Sequence, residues 1–204
     1  MVTQEVEYKP LSVREILKEM KDLSSLMIDL AYSAFLYNHK KLAEEVMRLE
    51  ERVDYLGYLL GIQAALAARD REDAEQVSGI LKVATAVDKI SDAAADIANL
   101  VLLNISIHPS IHSAFKKTEE ILGRVKVREE SVLAGKTLED LMLETRMGVD
   151  IIAIRREKIW ILNPGKKVKL RSGDILIARG SVESIELLDK LSSGKVKELP
   201  EVTK

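Results

Sequence analysis

From Leu11 to His108 the chain contains no proline and only three glycines, and its apolar residues recur at steps of three and four. A stretch of that kind folds as long amphipathic helices, because only a 3.6-residue period gathers those side chains on one face. Leu11, Ile16, Leu17, Met20, Leu23, Met27, Leu30, Ala34 and Phe35 form the first stripe, which ends near Asn38-His39. Leu42, Val46, Leu49, Val53, Leu56 and Leu60 form the second, broken by a charged turn over Asp70 to Asp73. The third runs through Val77, Ile80, Leu81, Ala84, Val87, Ile90, Ala94, Ile97 and Val101, with Pro109 as its limit. Long helices joined by short turns predict an antiparallel three-helix bundle, followed by a short fourth helix over Ile111–Leu122. Gly57 and Gly61, one turn apart, predict close approach of another helix.

Near Gly123 the period changes. Val125 and Val127 alternate with charges, as in a strand. Thr137-Leu-Glu-Asp140 is a capping-box pattern opening a helix that Gly148 closes. Asp150–Arg155 and Lys158–Leu162 read as paired strands with a turn at Glu157. Ile175–Ala178 reads as another strand and Val182–Leu191 as a final helix. The order is β-α-β-β-β-α. Charge changes with period: residues 1–123 hold 14 Lys+Arg against 20 Asp+Glu, and residues 124–204 hold 17 against 13. The chain is therefore expected to be multi-domain, α followed by α+β. Its expected parts are a bundle over 1–123, a small domain over 124–194 and a mobile tail over 195–204.

Composition excludes much chemistry. With no cysteine there is no disulfide, thiol nucleophile, cysteine-ligated zinc or iron–sulfur cluster. No GxSxG, GxGxxG or P-loop pattern occurs, so an enzyme or a nucleotide fold of the usual kinds is not expected. His39, His108 and His112 are the only histidines; the last two are four apart, but Pro109 intervenes and no third ligand is near. The net charge of −2 gives no pull toward nucleic acid. The N-terminus lacks a leader layout, and the longest uncharged apolar stretch, Tyr55–Ala68, is short of the roughly 20 residues of a membrane span. A cytoplasmic protein with no membrane insertion is the expectation. Few Gln and Asn beside abundant Lys, Glu and Arg suit a chain adapted to high temperature.

Carboxylates offer one further signal. Glu50 and Asp54 share a helical face, and Asp88, Asp92 and Asp96 repeat the same step on the next helix. Antiparallel neighbours could bring the rows together as ligands for a hard or borderline cation. On spacing alone, a solvated acidic face with Lys89 and Arg52 as partners is the simpler explanation.

Leu49–Leu56 (LEERVDYL) and Val87–Ala98 (VDKISDAAADIA) resemble the paired motifs of the PhoU family, an acidic residue, three others, then Asp. The resemblance implies a three-helix bundle involved in phosphate regulation, in a family where some members bind iron or other metals. Carried over, Glu50, Asp54, Asp88 and Asp92 would be the metal positions, for a divalent or iron cation. The usual PhoU protein has two such bundles and this chain has one, so the resemblance implies a homodimer.

Leu133–Leu138, Gly148–Arg156 and Arg171–Gly180 resemble the TrkA C-terminal domain, the C-terminal half of the regulator of potassium conductance. That resemblance implies a dimeric ligand-binding module acting at the cytoplasmic face of a potassium or other cation channel or transporter. Some family members bind cyclic di-AMP at the dimer interface. The nucleotide-binding domain that normally precedes it is replaced here by the bundle. An arginine beside apolar strand residues suits a phosphate-bearing ligand with an apolar base, which makes Ile152, Ile154, Arg156 and Asn163 the ligand-binding candidates. A strand end meeting solvent is the plainer reading of the same arginines. The chain is thus expected to be a non-enzymatic regulator of cation transport sensing a small ligand such as cyclic di-AMP or a related nucleotide. The alternative is a metal-binding phosphate-signalling regulator working through its bundle.

Overall fold

A computed structural model describes residues 11–105 and 120–201. Three helices open the chain: α1 (Val13–Leu36), α2 (Lys40–Ala67) and α3 (Arg71–Leu102). Each begins where a side chain satisfies free backbone N–H groups. Ser12 and Glu15 form a reciprocal capping box on α1, His39 Nδ1 accepts from Leu42 N at 3.3 Å, and Asp70 accepts from Asp73 N at 2.9 Å. The expected break lies slightly earlier than Asp70–Asp73, because Arg71 already belongs to α3.

The first two stripes are buried as read: Ile16, Met20, Leu23, Met27, Leu30 and Ala34 on α1, and Leu42 through Leu60 on α2. The third is buried in part, with Ile80, Val87 and Ile97 half-covered against the same core. α3 presents Ala84, Ser91, Ala94, Ala95, Ala98 and Val101 to the core and leaves Leu81, Val83 and Ile90 exposed. Small residues let a third helix settle into the groove of the other two, so the larger aliphatics are displaced to the flank. Neither helical glycine has the expected packing role. A Cβ on Gly57 would sit an ordinary 3.8 Å from Met20 Cε, and one on Gly61 would meet nothing within 4 Å.

The expected fourth helix lies outside the described residues except at its end, where Ile121 and Leu122 belong to a strand. β1 (Ile121–Lys126) is followed by two short helices, α4 (Leu138–Leu141) and α5 (Leu143–Met147), split at Met142 with φ 44°. The Thr137/Asp140 capping box and the Gly148 C-cap stand where the sequence placed them. Next come β2 (Asp150–Arg156), β3 (Ile159–Leu162), β4 (Ile175–Gly180) and α6 (Val182–Ser192). The four strands form an antiparallel sheet in the order β1-β4-β2-β3.

The central strand β4 is covered on both faces. Val125, Ile151, Ile154, Leu176 and Ala178 pack beneath Leu133, Leu141, Ile185, Leu188 and Leu191 in one core. On the opposite face Leu122, Ala153 and Ile177 continue the bundle's own core, flanked by Ile152, Trp160 and Leu162. The bundle thus serves as the third layer over the sheet. Beyond α6 the chain does not simply trail away: Val196 and Leu199 rest on the sheet domain's core, and Arg146 Nη1 donates to Pro200 O.

Candidate functional site

Two groups of charged residues, one between the domains and one on the bundle, carry the chemistry. Glu45 lies on the buried stripe of α2, between Leu42 and Leu49, and is fully buried. β1 and β2 bring arginines to it. Arg155 binds it at two points, Nε to Oε2 and Nη2 to Oε1, both at 2.8 Å, and Arg124 Nε donates to Oε1 at 2.8 Å. Arg48, one turn along α2, adds a 3.4 Å contact. Burial alone would raise the Glu45 pKa, but the hydrogen bonds from Arg155 and Arg124 outweigh it and hold the carboxyl below its ordinary range. The His39 pKa is lowered as well, mainly by burial and further by Lys41 and Arg124, which favours the neutral imidazole that can accept the helix-cap bond.

The acidic rows meet on the outer groove of α2 and α3. Oxygens of Glu50, Asp54 and Asp92 lie within 4.8 Å of one another. Asp88 stands on the same face beside Asp54, and both line a 380 Å³ groove with Gly57, Tyr58, Leu81 and Thr85. The Glu50 pKa is raised by partial desolvation, then by Asp54, Asp92, Glu51 and Asp88; that of Asp88 is raised by desolvation, then by Asp92 and Asp54. All four sequence candidates therefore share one field of negative charge, with three close enough to hold one cation.

The four ligand candidates are not brought together within the chain. Registers shift between Ile151 and Ala153 where β2 pairs with β4, a bulge at Ile152. The bulge puts Ile152 on the bundle side and leaves Ile154 buried in the opposite core, although two-residue spacing predicts a shared face. Arg156 is engaged by a buried partner: its Nε and Nη2 donate to Asp174 at 2.9 and 2.8 Å, and Nη2 also reaches Lys169 O at 2.9 Å. Asn163 is exposed in a left-handed turn, φ 45°, its N–H bonded to Ile152 O. Beside it a cavity of about 490 Å³ is lined by Leu138, Met142, Val149, Ile151 and Pro164. Its charged residues are Glu139, Glu144, Asp150 and Lys166, a set that favours no anion. Sequence reasoning missed Glu45, whose signal was a charge placed on an otherwise apolar stripe.

A three-helix bundle with acidic rows on two helices, joined to a small βαβββα sheet domain, defines the class of protein. Residues 17–101 match the PhoU domain model and residues 122–193 the TrkA-C domain model. The chain is a PhoU domain followed by a TrkA-C domain. It is 33% identical over 113 residues to a probable potassium channel protein 2 of Methanocaldococcus jannaschii, covering 50% of this chain and 33% of that one. It is 39% identical over 66 residues to the Ktr system potassium uptake protein C of Bacillus subtilis, covering 32% of this chain and 30% of that protein. The chain thus spans about a third of the length of these relatives. A solved RCK C domain of the potassium transport protein KtrA, in complex with cyclic di-AMP, is 30% identical. It covers 40% of this chain and 95% of its own, with a TM-score of 0.33. Streptococcal (S. agalactiae) BusR bound to promoter DNA is 15% identical, covering 87% of this chain and 97% of its own, with a TM-score of 0.35.

Proposed function

We propose that this protein is a non-enzymatic regulator of potassium or other cation transport, in which the TrkA-C domain senses a small ligand. The observation that carries the reading is the TrkA-C domain over 122–193, whose curated relatives include a probable potassium channel and a potassium uptake protein. In this reading the regulator acts at the cytoplasmic face of a transport protein; no helix among the described residues is long and apolar enough to cross a membrane. It works as a homodimer without a nucleic-acid partner. Its ligand, cyclic di-AMP or a related nucleotide, sits between the two copies, where exposed Asn163 is the accessible member of the sequence-derived set. Potassium flux into vesicles carrying a candidate transporter, with and without the full chain and the nucleotide, tests the reading. Flux indifferent to the chain under both conditions would overturn it. Light scattering at micromolar concentration should show twice the 22.8 kDa chain mass.

A second reading rests on a different observation, the three carboxylates within 4.8 Å on α2 and α3. There the bundle binds a divalent or iron cation and the protein serves phosphate signalling. Metal analysis of the purified protein separates the two.

A further inference from the structure

Where α2 passes over the β2–β3 hairpin, a groove of about 410 Å³ opens between the domains. It is lined by Arg48, Arg52 and Tyr55 from α2, by Arg155, Lys158 and Trp160 from the hairpin, and by Glu51 and Glu157. Neither domain forms it alone. Its volume falls in the range of small-molecule sites, and its composition joins cationic groups to two flat aromatic rings. We propose that this junction groove is a binding site for a small phosphorylated molecule carrying a planar ring, of the size of a nucleoside monophosphate. It is additional to the ligand site proposed between two copies of the TrkA-C domain.

Arg155 and Arg52 are already paired with Glu45 and Glu19, so Arg48 and Lys158 are the groove's cations able to turn to an anion. Four cations line the groove against two carboxylates, and both carboxylate residues are exposed or at the rim, where water screens them. Behind the groove, Glu45 is already satisfied by Arg155 at two points and by Arg124. Arg48 is therefore the third guanidinium on one carboxylate, held at a longer 3.4 Å with nearly half its side chain exposed. It can turn to an incoming phosphate without uncovering Glu45. Arg52 is anchored by Glu19 at 2.8 Å, so it contributes field more than a free donor. Lys158 has no carboxylate partner among the described residues, is exposed and lines the groove. Trp160 holds the Arg155 guanidinium 6.0 Å from its ring, and Tyr55 lies under Arg52 at 5.7 Å, so both rings border positive charge. A planar base laid against either ring would gain stacking, and its phosphate would gain charge-assisted hydrogen bonds from Arg48 and Lys158.

Trp160 is the only tryptophan, so its emission reports on this groove alone. The experiment titrates AMP, ribose 5-phosphate and adenosine into the full chain, reading Trp160 fluorescence and heat, and repeats it with Lys158→Glu and Arg48→Gln. AMP should bind saturably at up to millimolar concentration and perturb the emission. Ribose 5-phosphate and adenosine, each lacking one recognised part, should bind at least about tenfold more weakly. Each variant should weaken AMP by about tenfold while melting like the parent. Absence of saturable AMP binding would overturn the proposal. So would unchanged affinity in both variants, which would place the nucleotide elsewhere, or equal binding of AMP and ribose 5-phosphate. None of these results bears on the transport reading, which the vesicle flux decides.

Discussion

Glu45 of α2 and Arg155 of β2 are 110 positions apart and meet in a two-point ion pair, each bond 2.8 Å, with the carboxylate wholly buried. Only the packing of sheet on bundle removes Glu45 from water, and Arg155 with Arg124 makes that burial tolerable. The pair therefore ties the two domains into one unit: disturbing the helix that carries Glu45 disturbs the strands that hold its arginines.

Replacing Glu45 by Gln leaves Arg155 and Arg124 facing each other without their counter-charge. A loss of about 3–5 kcal/mol is expected, the usual result of breaking one side of a buried pair. Urea denaturation followed by helix and by Trp160 signals should show two separated transitions where the parent shows one. A single transition with an unchanged midpoint would refute the role of Glu45.

Acid should act through the same contact. The folded-state pKa of Glu45 lies below its ordinary value of 4.5, so its contribution is present above that value and lost as pH falls through the folded one. His39 adds to the effect, since its folded pKa is below 6.5. The unfolded chain binds protons first as pH falls from 6.5, which drains stability from the cap of α2. Midpoints measured from pH 7 down to pH 3 should fall in both windows, and Glu45→Gln should flatten the lower one only.

The acidic groove has the opposite sign. Glu50 and Asp88 have raised pKa values, so the folded chain prefers their protonated forms and repulsion weakens it above the ordinary carboxylate range. Asp54→Asn with Asp92→Asn should leave the metal-free protein as stable as the parent at pH 7, or more so. Manganese should raise the melting temperature of the parent and leave that of the double variant unchanged. An equal rise in both would reject the carboxylate cluster as a cation site.

Arg156→Ala should chiefly destabilise the sheet domain. Asp174 is buried and accepts Arg156 Nε, Arg156 Nη2 and the Arg171 amide, so it would lose two of its donors. A loss of about 3 kcal/mol is expected, with a smaller loss when Asp174→Asn accompanies it. Chemical denaturation of the three variants completes the cycle, and additive losses would show that the pair does not act as a unit.

Gly123 of β1 faces α6 so closely that a Cβ there would overlap the side chain of Ile185. Gly123→Ala should therefore destabilise by about 1–3 kcal/mol, and Ile185→Val in the same chain should return part of it. A neutral Gly123→Ala in thermal melts would mean that α6 is free to shift.

What the sequence alone determined about this protein is what local physics controls. The stripes of α1 and α2, the Thr137/Asp140 capping box, the Gly148 cap and the turn at Glu157 each depend on residues within a turn or two of one another, and all stand where the pattern puts them. The acidic rows were visible for the same reason, since four-residue spacing aligns side chains on any helix. Tertiary structure decided the rest. Which side of α3 is buried depended on how closely three helices approach, and that favoured Ala84, Ala94 and Ala98 over Leu81 and Ile90. The bulge at Ile152 depended on pairing with β4, and it alone sends Ile152 and Ile154 to opposite faces. Whether an arginine is free for a ligand depended on which carboxylate the fold brings to it, Asp174 for Arg156 and Glu45 for Arg155. Spacing along a chain specifies the face of an element, but the partner across that face lies 18 positions away for Arg156 and 110 for Arg155, and only packing introduces them.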